Sequence, residues 1–439
     1  MVIFDDQKIE QLISQCRFAE TAAALAVSRA ENVQAAAHLR HLRNIVSAIA
    51  GNDRALARSI EPDLLACRTA AEMDAYRESI NGAGFHDDLI GGTVLAWSAD
   101  AEGAYRLLRQ AHERAVSERY FHFAVAARER LAHHALLFGD VEMARVELDQ
   151  ASQFAAEHRL PAWLVRCLAG AARLAFDTGD LDGSARLLDR AAADARSPAL
   201  RALCAPCGAQ LAVERGDDMA LSIWTSAEIV ETALRSEEPE AAIAASIALL
   251  IGSDSTKIDL PAAVALRRAL FGADNAAIAP ELFSLAASHG QRDEARLAAR
   301  ALAATFAPNR RYLKAHYLLA RAYLSFRIGK HAAWTDHASD AARAFNAMGL
   351  RRWTNEAMLL LVRQVGSAAR APGRSGSSTL TEREQQVADL IRRGARNREV
   401  AVTLQISEHT VERHVSSILG RLGLRSRWQI VDMRKQNEH

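Results

Sequence analysis

Along most of this chain, short stretches of apolar residues at helical spacing alternate with tight polar turns. LAHHALLF and CLAGAARLAF, ending at Phe138 and Phe176, are such stretches. Gly139-Asp140 and Gly179-Asp180 follow them, and a second periodic stretch comes after each turn of the series, as in VEMARVELDQA after Gly139-Asp140 and RDEARLAARAL after Gly290. Spacing of three and four marks helices. Glycine just past a periodic run ends a helix, and aspartate after it starts the next. Gly216-Asp217, Gly252, Gly290 and Gly329 continue the series at intervals of 36 to 40 residues. Ala99-Asp100 lies one interval earlier, and Gly51-Asn52 stands near its opening. Pro161 and Pro198 each precede a turn glycine by 18 residues, a position suited to a first helical turn. The pattern predicts stacked helical hairpins over roughly residues 100–365; the alternative is an irregular all-α domain.

From Leu380 the elements shorten. Thr381 with Glu384 three residues on forms a capping box. Val387, Leu390 and Ile391 give the first helix its apolar face, and Gly394 ends it. Asn397 caps a second helix, Arg398 to Leu404, with Val400, Ala401 and Leu404 inward. Gln405-Ile406-Ser407 is a three-residue turn. Ser407 caps a third helix to about Leu422, stopped by Gly423, and a fourth starts near Arg427. Two helices joined by so short a turn form a helix-turn-helix, whose second helix enters the DNA major groove.

The third helix can be oriented from its own pattern. Val411, Val415, Ile418 and Leu422 form one apolar stripe. The opposite face carries His409, Arg413, Ser416 and Gly420, with Glu412 on its flank. Arg413 can donate two hydrogen bonds to guanine, and Glu412 can accept from the cytosine amino group. A glutamate facing DNA is repelled by phosphate, so Glu412 either reads a base or pairs with Arg413. Charge agrees with this placement. Residues 380–435 hold 11 Lys and Arg against 7 Asp and Glu, whereas residues 1–379 hold 43 against 45. A near-neutral chain of formal charge +1 thus hides a basic tail. Asn397, Arg398, Thr410, Arg421, Arg425 and Arg427, with Arg396 beside them, are the candidate phosphate contacts, which set affinity rather than sequence choice.

This segment resembles the DNA-binding domain of LuxR-type (NarL/FixJ-like) bacterial transcription regulators. The residues that carry the likeness are Leu380-Thr381, Arg383-Glu384, Gly394, Asn397, Glu399-Val400-Ala401, Leu404, Ile406-Ser407, Thr410-Val411, His414, Leu422 and Arg425-Ser426-Arg427, over about 55 of 439 residues. The resemblance implies base contacts at Glu412, Arg413 and Ser416. Many members have lysine at the first and third of these positions, so Glu412 and Ser416 imply a different target sequence. It also implies that the fourth helix pairs two domains on an inverted repeat through Trp428, Ile430 and Val431. The body resembles degenerate tetratricopeptide repeats, in which the small residues Ala144, Ser184 and Ala295, five after each turn, would sit at close helix contacts. Such a solenoid offers a concave surface to a peptide, a small molecule or a protein. Between body and tail, GSAARAPGRSGSST at 366–379 reads as a flexible tether spanning about 20 Å.

Other signals point elsewhere and fade. MVIFDD imitates the opening of a phosphorelay receiver, but the chain turns helical by about Gln7 and stays Ala-rich; Val2, Ile3 and Phe4 more simply cap a helical layer. Cys204-Ala-Pro-Cys207 has redox or zinc spacing, yet no second pair or nearby histidine completes a zinc site. Its repeat register matches Cys167 and favours a buried helix residue. His133-His134 and His331 with His337 read as packing or surface residues. No phosphate-binding GxxxxGK[ST] loop occurs. The larger ATP-binding LuxR regulators join such a module to a helical region and the same C-terminal domain. This chain looks like their last two parts, either a compact relative or one whose motor is missing. An α/β lactone-binding domain does not fit either. Five cysteines, no signal peptide and no long apolar run point to a reducing, cytoplasmic, nucleoid-associated setting.

These observations predict an all-α chain. A helical-repeat sensor or interaction domain covers 1–365, a linker 366–379, and a four-helix helix-turn-helix domain 380–439. The expected function is sequence-specific promoter binding on double-stranded DNA as a homodimer, controlled by a ligand or partner at the body. The alternative is a scaffold that tethers the DNA-binding domain to a partner protein. No enzyme activity, cofactor, metal or membrane partner is expected.

Overall fold

The computed structural model describes residues 70–79, 84–97, 100–226, 228–229, 239–252, 280–289, 292–304, 309–329, 331–368, 380–392, 395, 397–404, 406, 408–422 and 430. Among the described residues all regular structure is helical, in eighteen helices, and the all-α prediction holds. The body contains α1 (Ala70–Ser79), α2 (Phe85–Trp97), α3 (Ala101–Ser117), α4 (Phe121–Phe138), α5 (Val141–Glu157), α6 (Pro161–Thr178), α7 (Leu181–Asp194), α8 (Pro198–Arg215) and α9 (Asp218–Trp224). It continues with α10 (Pro239–Gly252), α11 (Pro280–His289), α12 (Arg292–Ala304), α13 (Arg311–Arg327), α14 (His331–Ala347) and α15 (Arg351–Ala368). The tail holds α16 (Glu382–Arg392), α17 (Asn397–Leu404) and α18 (Glu408–Leu422).

The turn chemistry matches the sequence pattern. Asp100, Asp140, Asp180 and Asp217 are N-caps, their carboxylates accepting from the backbone N–H three residues on at 2.8–3.0 Å. Gly139, Gly179 and Gly216 close α4, α6 and α8 in the left-handed region, at φ 81°, 94° and 65°. That conformation costs a side chain energy and glycine little. Pro161 and Pro198 open α6 and α8. Ala144, Ser184 and Ala295 are buried, and the Ser184 hydroxyl donates to the Ala172 carbonyl at 2.8 Å. Gly252 ends α10 as a helical residue. Gly51, Gly290, the first six residues and 369–379 lie outside the described residues. α15 runs to Ala368, three residues into the expected tether.

Other turns carry no sequence signal. Those joining α3 to α4 and α5 to α6 place Arg119 and Arg159 at φ 65° and 57°. Arginine is not a turn former, and the strain is held by the helices on either side.

Through most of the body each helix packs on the next. The stack then turns back on itself, with α13 packing against α4 and α15 against α6. Arginines make the closing contacts. Arg310 donates to the Ala96 carbonyl at 3.0 Å and Arg311 to the Phe138 carbonyl at 2.9 Å, supplying cations to the ends of α2 and α4. Arg352 lies 3.1 Å from Asp177 and 4.1 Å above the Trp353 ring. Trp163, Trp334 and Trp353 are fully buried in these layers. The open concave face expected of a solenoid is therefore partly filled by the chain's own later helices.

The cysteine and histidine motifs sit inside this packing. Cys167, Cys204 and Cys207 are buried free thiols. Burial pushes Cys204 up to about 12 and Cys207 up to about 11, which suppresses the reactive thiolate. His134 is buried, and burial holds both His133 and His134 well below the ordinary imidazole value. Among the described residues no group of three or more His, Cys, Asp or Glu gathers in a metal-binding arrangement.

Candidate nucleic-acid interface

The tail domain is built around one small apolar core. Val387, Ala388 and Ile391 of α16, Val400 and Ala401 of α17, and Val411, Ile418 and Leu419 of α18 enclose it. Val415 and Leu404 are half-buried against it. The predicted inward stripe of α18 is thus present at Val411, Val415 and Ile418; the side chain of Leu422 lies outside the described set. Leu419 escapes the sequence pattern because it sits on the flank of the wheel. It is buried in this core, onto which Leu359, from α15 of the body, also packs. α15 and α18 touch directly.

The expected capping box forms. The Thr381 amide donates to Glu384 Oε2 at 2.8 Å, and the Glu384 amide donates to Thr381 Oγ1 at 3.3 Å. The same carboxylate does more than cap. Its Oε1 accepts from the Ser417 hydroxyl and lies 3.2 Å from Arg421 Nε, both on α18. Burial pushes this carboxyl up, but the hydrogen bonds from Ser417 and Thr381 and the Arg421 charge outweigh it and hold it below the ordinary range. Arg383 reaches across to the Leu404 carbonyl at the end of α17. Sequence reasoning assigns neither Arg383 nor Ser417 a contact; their partners lie 21 and 33 residues away, beyond any local spacing rule.

With the stripe turned inward, the opposite side of α18 is left outward. Glu412 and Arg413 are both exposed, one turn into the helix. Thr410 and Asn397 are half-buried, each at the N-terminal end of its helix. Arg421 is half-exposed and keeps further donors beyond the edge that meets Glu384. His409, Ser416 and Arg398 occupy described helix positions whose side chains fall outside the described set, and Arg425, Arg427, Trp428 and Val431 fall outside it entirely. Ile430 is fully buried in the domain's own core.

A basic three-helix core with an exposed arginine one turn into its third helix defines a helix-turn-helix DNA-binding domain. Residues 378–434 match the family described as bacterial regulatory proteins, luxR family. The chain is a DNA-binding transcription regulator by virtue of this domain. A comparison with curated proteins gives no match. Among the described residues no helix is long and apolar enough to cross a membrane.

Proposed function

We propose that the chain binds specific promoter sequences as a homodimer in the cytoplasm, with its helical-repeat body controlling the DNA-binding domain. The exposed Arg413 on the outer face of α18 carries this reading. A guanidinium there can reach guanine O6 and N7 in the major groove while Val411 and Ile418 hold the helix from behind. Glu412 and Ser416 give the domain its own sequence choice. Asn397, Arg398, Thr410, Arg421, Arg425 and Arg427 hold the phosphates. With Ile430 committed to the core, the pairing contact falls to Trp428 and Val431. Control by the body is supported by Leu359, which links α15 to the same core that positions α18.

Selection of bound sequences from random DNA, using the full-length protein, tests the proposal. The expected outcome is an enriched inverted repeat that Arg413→Ala no longer distinguishes. Failure to enrich any sequence, or enrichment of a single half-site only, overturns specificity or dimerisation respectively.

A further inference from the structure

A cavity of about 150 Å³ opens in the body between α4, α5, α6, α8 and α10. Its wall repeats from helix to helix. Glu129 and Arg130 stand ten and nine residues before Gly139, the glycine that closes α4. Ala169 and Gly170 hold the same places before Gly179 in α6, and Pro206 and Cys207 before Gly216 in α8. Equivalent positions on alternate helices form one continuous face of the stack, the kind of face on which stacked helices receive ligands. α10 packs on α8 and adds Ile243 and Ile247 to the wall.

Leu136, Leu148, Leu203 and Ile243 make one side apolar. The other side carries charges that satisfy one another. Glu129 lies 3.1 Å from Arg130 Nε and 3.4 Å from Arg166 Nη2. Arg173 pairs with Glu281 of α11, and Asp177 with Arg352 of α15 at 3.1 Å. Each charged group on the described wall therefore has a partner of opposite sign. His133, also on the wall, is held neutral by burial, with the charges of Arg130 and Arg173 adding to the effect. A charged ligand would have to break one of these buried pairs or stay unpaired beside them, and both are costly. Water gains little here as well, because it needs two to four free polar partners. Poorly held water is favourably displaced by an apolar group.

We propose that this cavity binds an uncharged aromatic molecule of about benzene's size, bearing at most one small polar group. An apolar cavity of about this volume takes up benzene. The ring lies on Leu136, Leu148 and Ile243 and turns its other face to the guanidinium side. A guanidinium whose N–H edge is engaged by a carboxylate still offers its flat face to an aromatic ring. Arg352 does this within the same network, pairing with Asp177 while its guanidinium carbon lies 4.1 Å from the centre of the Trp353 ring. The site rests on the body alone, and its failure would leave the DNA-binding reading untouched.

The test is titration of the full-length protein with benzyl alcohol, sodium benzoate and benzylammonium chloride at neutral pH and matched ionic strength, read by melting temperature and calorimetry. The three probes share a ring and differ in charge. Benzyl alcohol should raise the melting temperature saturably, and by more than either ion. Intermolecular NOEs from its ring protons should reach the labelled methyls of Leu136, Leu148 and Ile243. Leu203→Trp, at a half-buried wall position, should fill the chamber and abolish the saturable rise in a chain that still melts cooperatively. No saturable rise with benzyl alcohol overturns the site, as do NOEs confined to methyls elsewhere or undiminished binding by folded Leu203→Trp. An equal or larger rise with either ion overturns the uncharged ligand. Should Leu203→Trp fail to fold, the NOEs in the wild-type protein decide.

Discussion

Arg421 and Glu384 join the third and first helices of the DNA-binding domain, with Nε and Oε1 3.2 Å apart. Ser417 donates to the same oxygen, and Thr381 occupies the other with its amide. One carboxylate thus starts α16 and pins α18 at the angle that leaves Arg413 outward.

Replacing Glu384 with glutamine should loosen this arrangement. Loss of the charge-assisted bonds is expected to cost about 1–3 kcal/mol. The folded carboxyl titrates below its unfolded value, so its contribution is complete above the unfolded pKa of about 4.3 and fades as pH falls through the folded one. Hydrogen exchange across residues 382–422 should therefore separate wild type from Glu384→Gln at pH 7, and the gap should close well below pH ~4. A gap that persists in acid would show that the charge is not what matters.

Arg413→Ala should cost about 1–3 kcal/mol on the selected site and relax the sequence preference. The decisive comparison is with random DNA, where little loss is expected. Equal loss on both would make Arg413 a phosphate contact.

Neutralising Arg425 and Arg427 together should weaken binding to all DNA sequences alike. If both meet phosphates, the slope of log affinity against log salt should flatten by about 0.9 for each. An unchanged slope removes them from the phosphate surface.

In the body, Asp180→Ala removes the cap of α7 and should cost about 0.5–2 kcal/mol in urea unfolding. Gly179→Ala should cost about 1–3 kcal/mol, because φ there is 94°. A β-carbon at Gly179 would also come 3.1 Å from Arg351 Cδ, pressing on the start of α15. A Gly179→Ala protein as stable as wild type would show that neither the strain nor that contact matters.

The buried thiols offer a chemical check. At pH 8, iodoacetamide should leave Cys167, Cys204 and Cys207 unmodified in the native protein and label all three in urea, as read by peptide mass mapping. Burial raises all three, so little thiolate exists to react. Rapid native labelling at Cys204 and Cys207 would revive the redox reading of that pair.

Much of the tail domain is legible in the order of its residues. Thr381 with Glu384, and the stripe from Val411 to Ile418, act over one or two helical turns, where sequence spacing equals spatial proximity. Leu419 is not legible in this way: it lies on the flank of the wheel, outside the stripe, in a core that also receives Leu359 from 60 residues away across the linker. Ile430 joins that core too, a placement that its own local spacing does not give. In the body, glycine-aspartate turns are visible because each residue type has a conformational cause. The turns at Arg119 and Arg159 are invisible because arginine has none.

By itself the sequence determined the helices, their capped ends, the hairpin pairing of neighbours and which face of α18 turns inward. All of these depend on interactions within a few turns of chain. Only the tertiary structure decided that the stack closes on itself. Arg310 meets Ala96 across 214 residues and Arg352 meets Asp177 across 175. Such meetings follow from small rotations accumulated between successive hairpins, which no local spacing encodes.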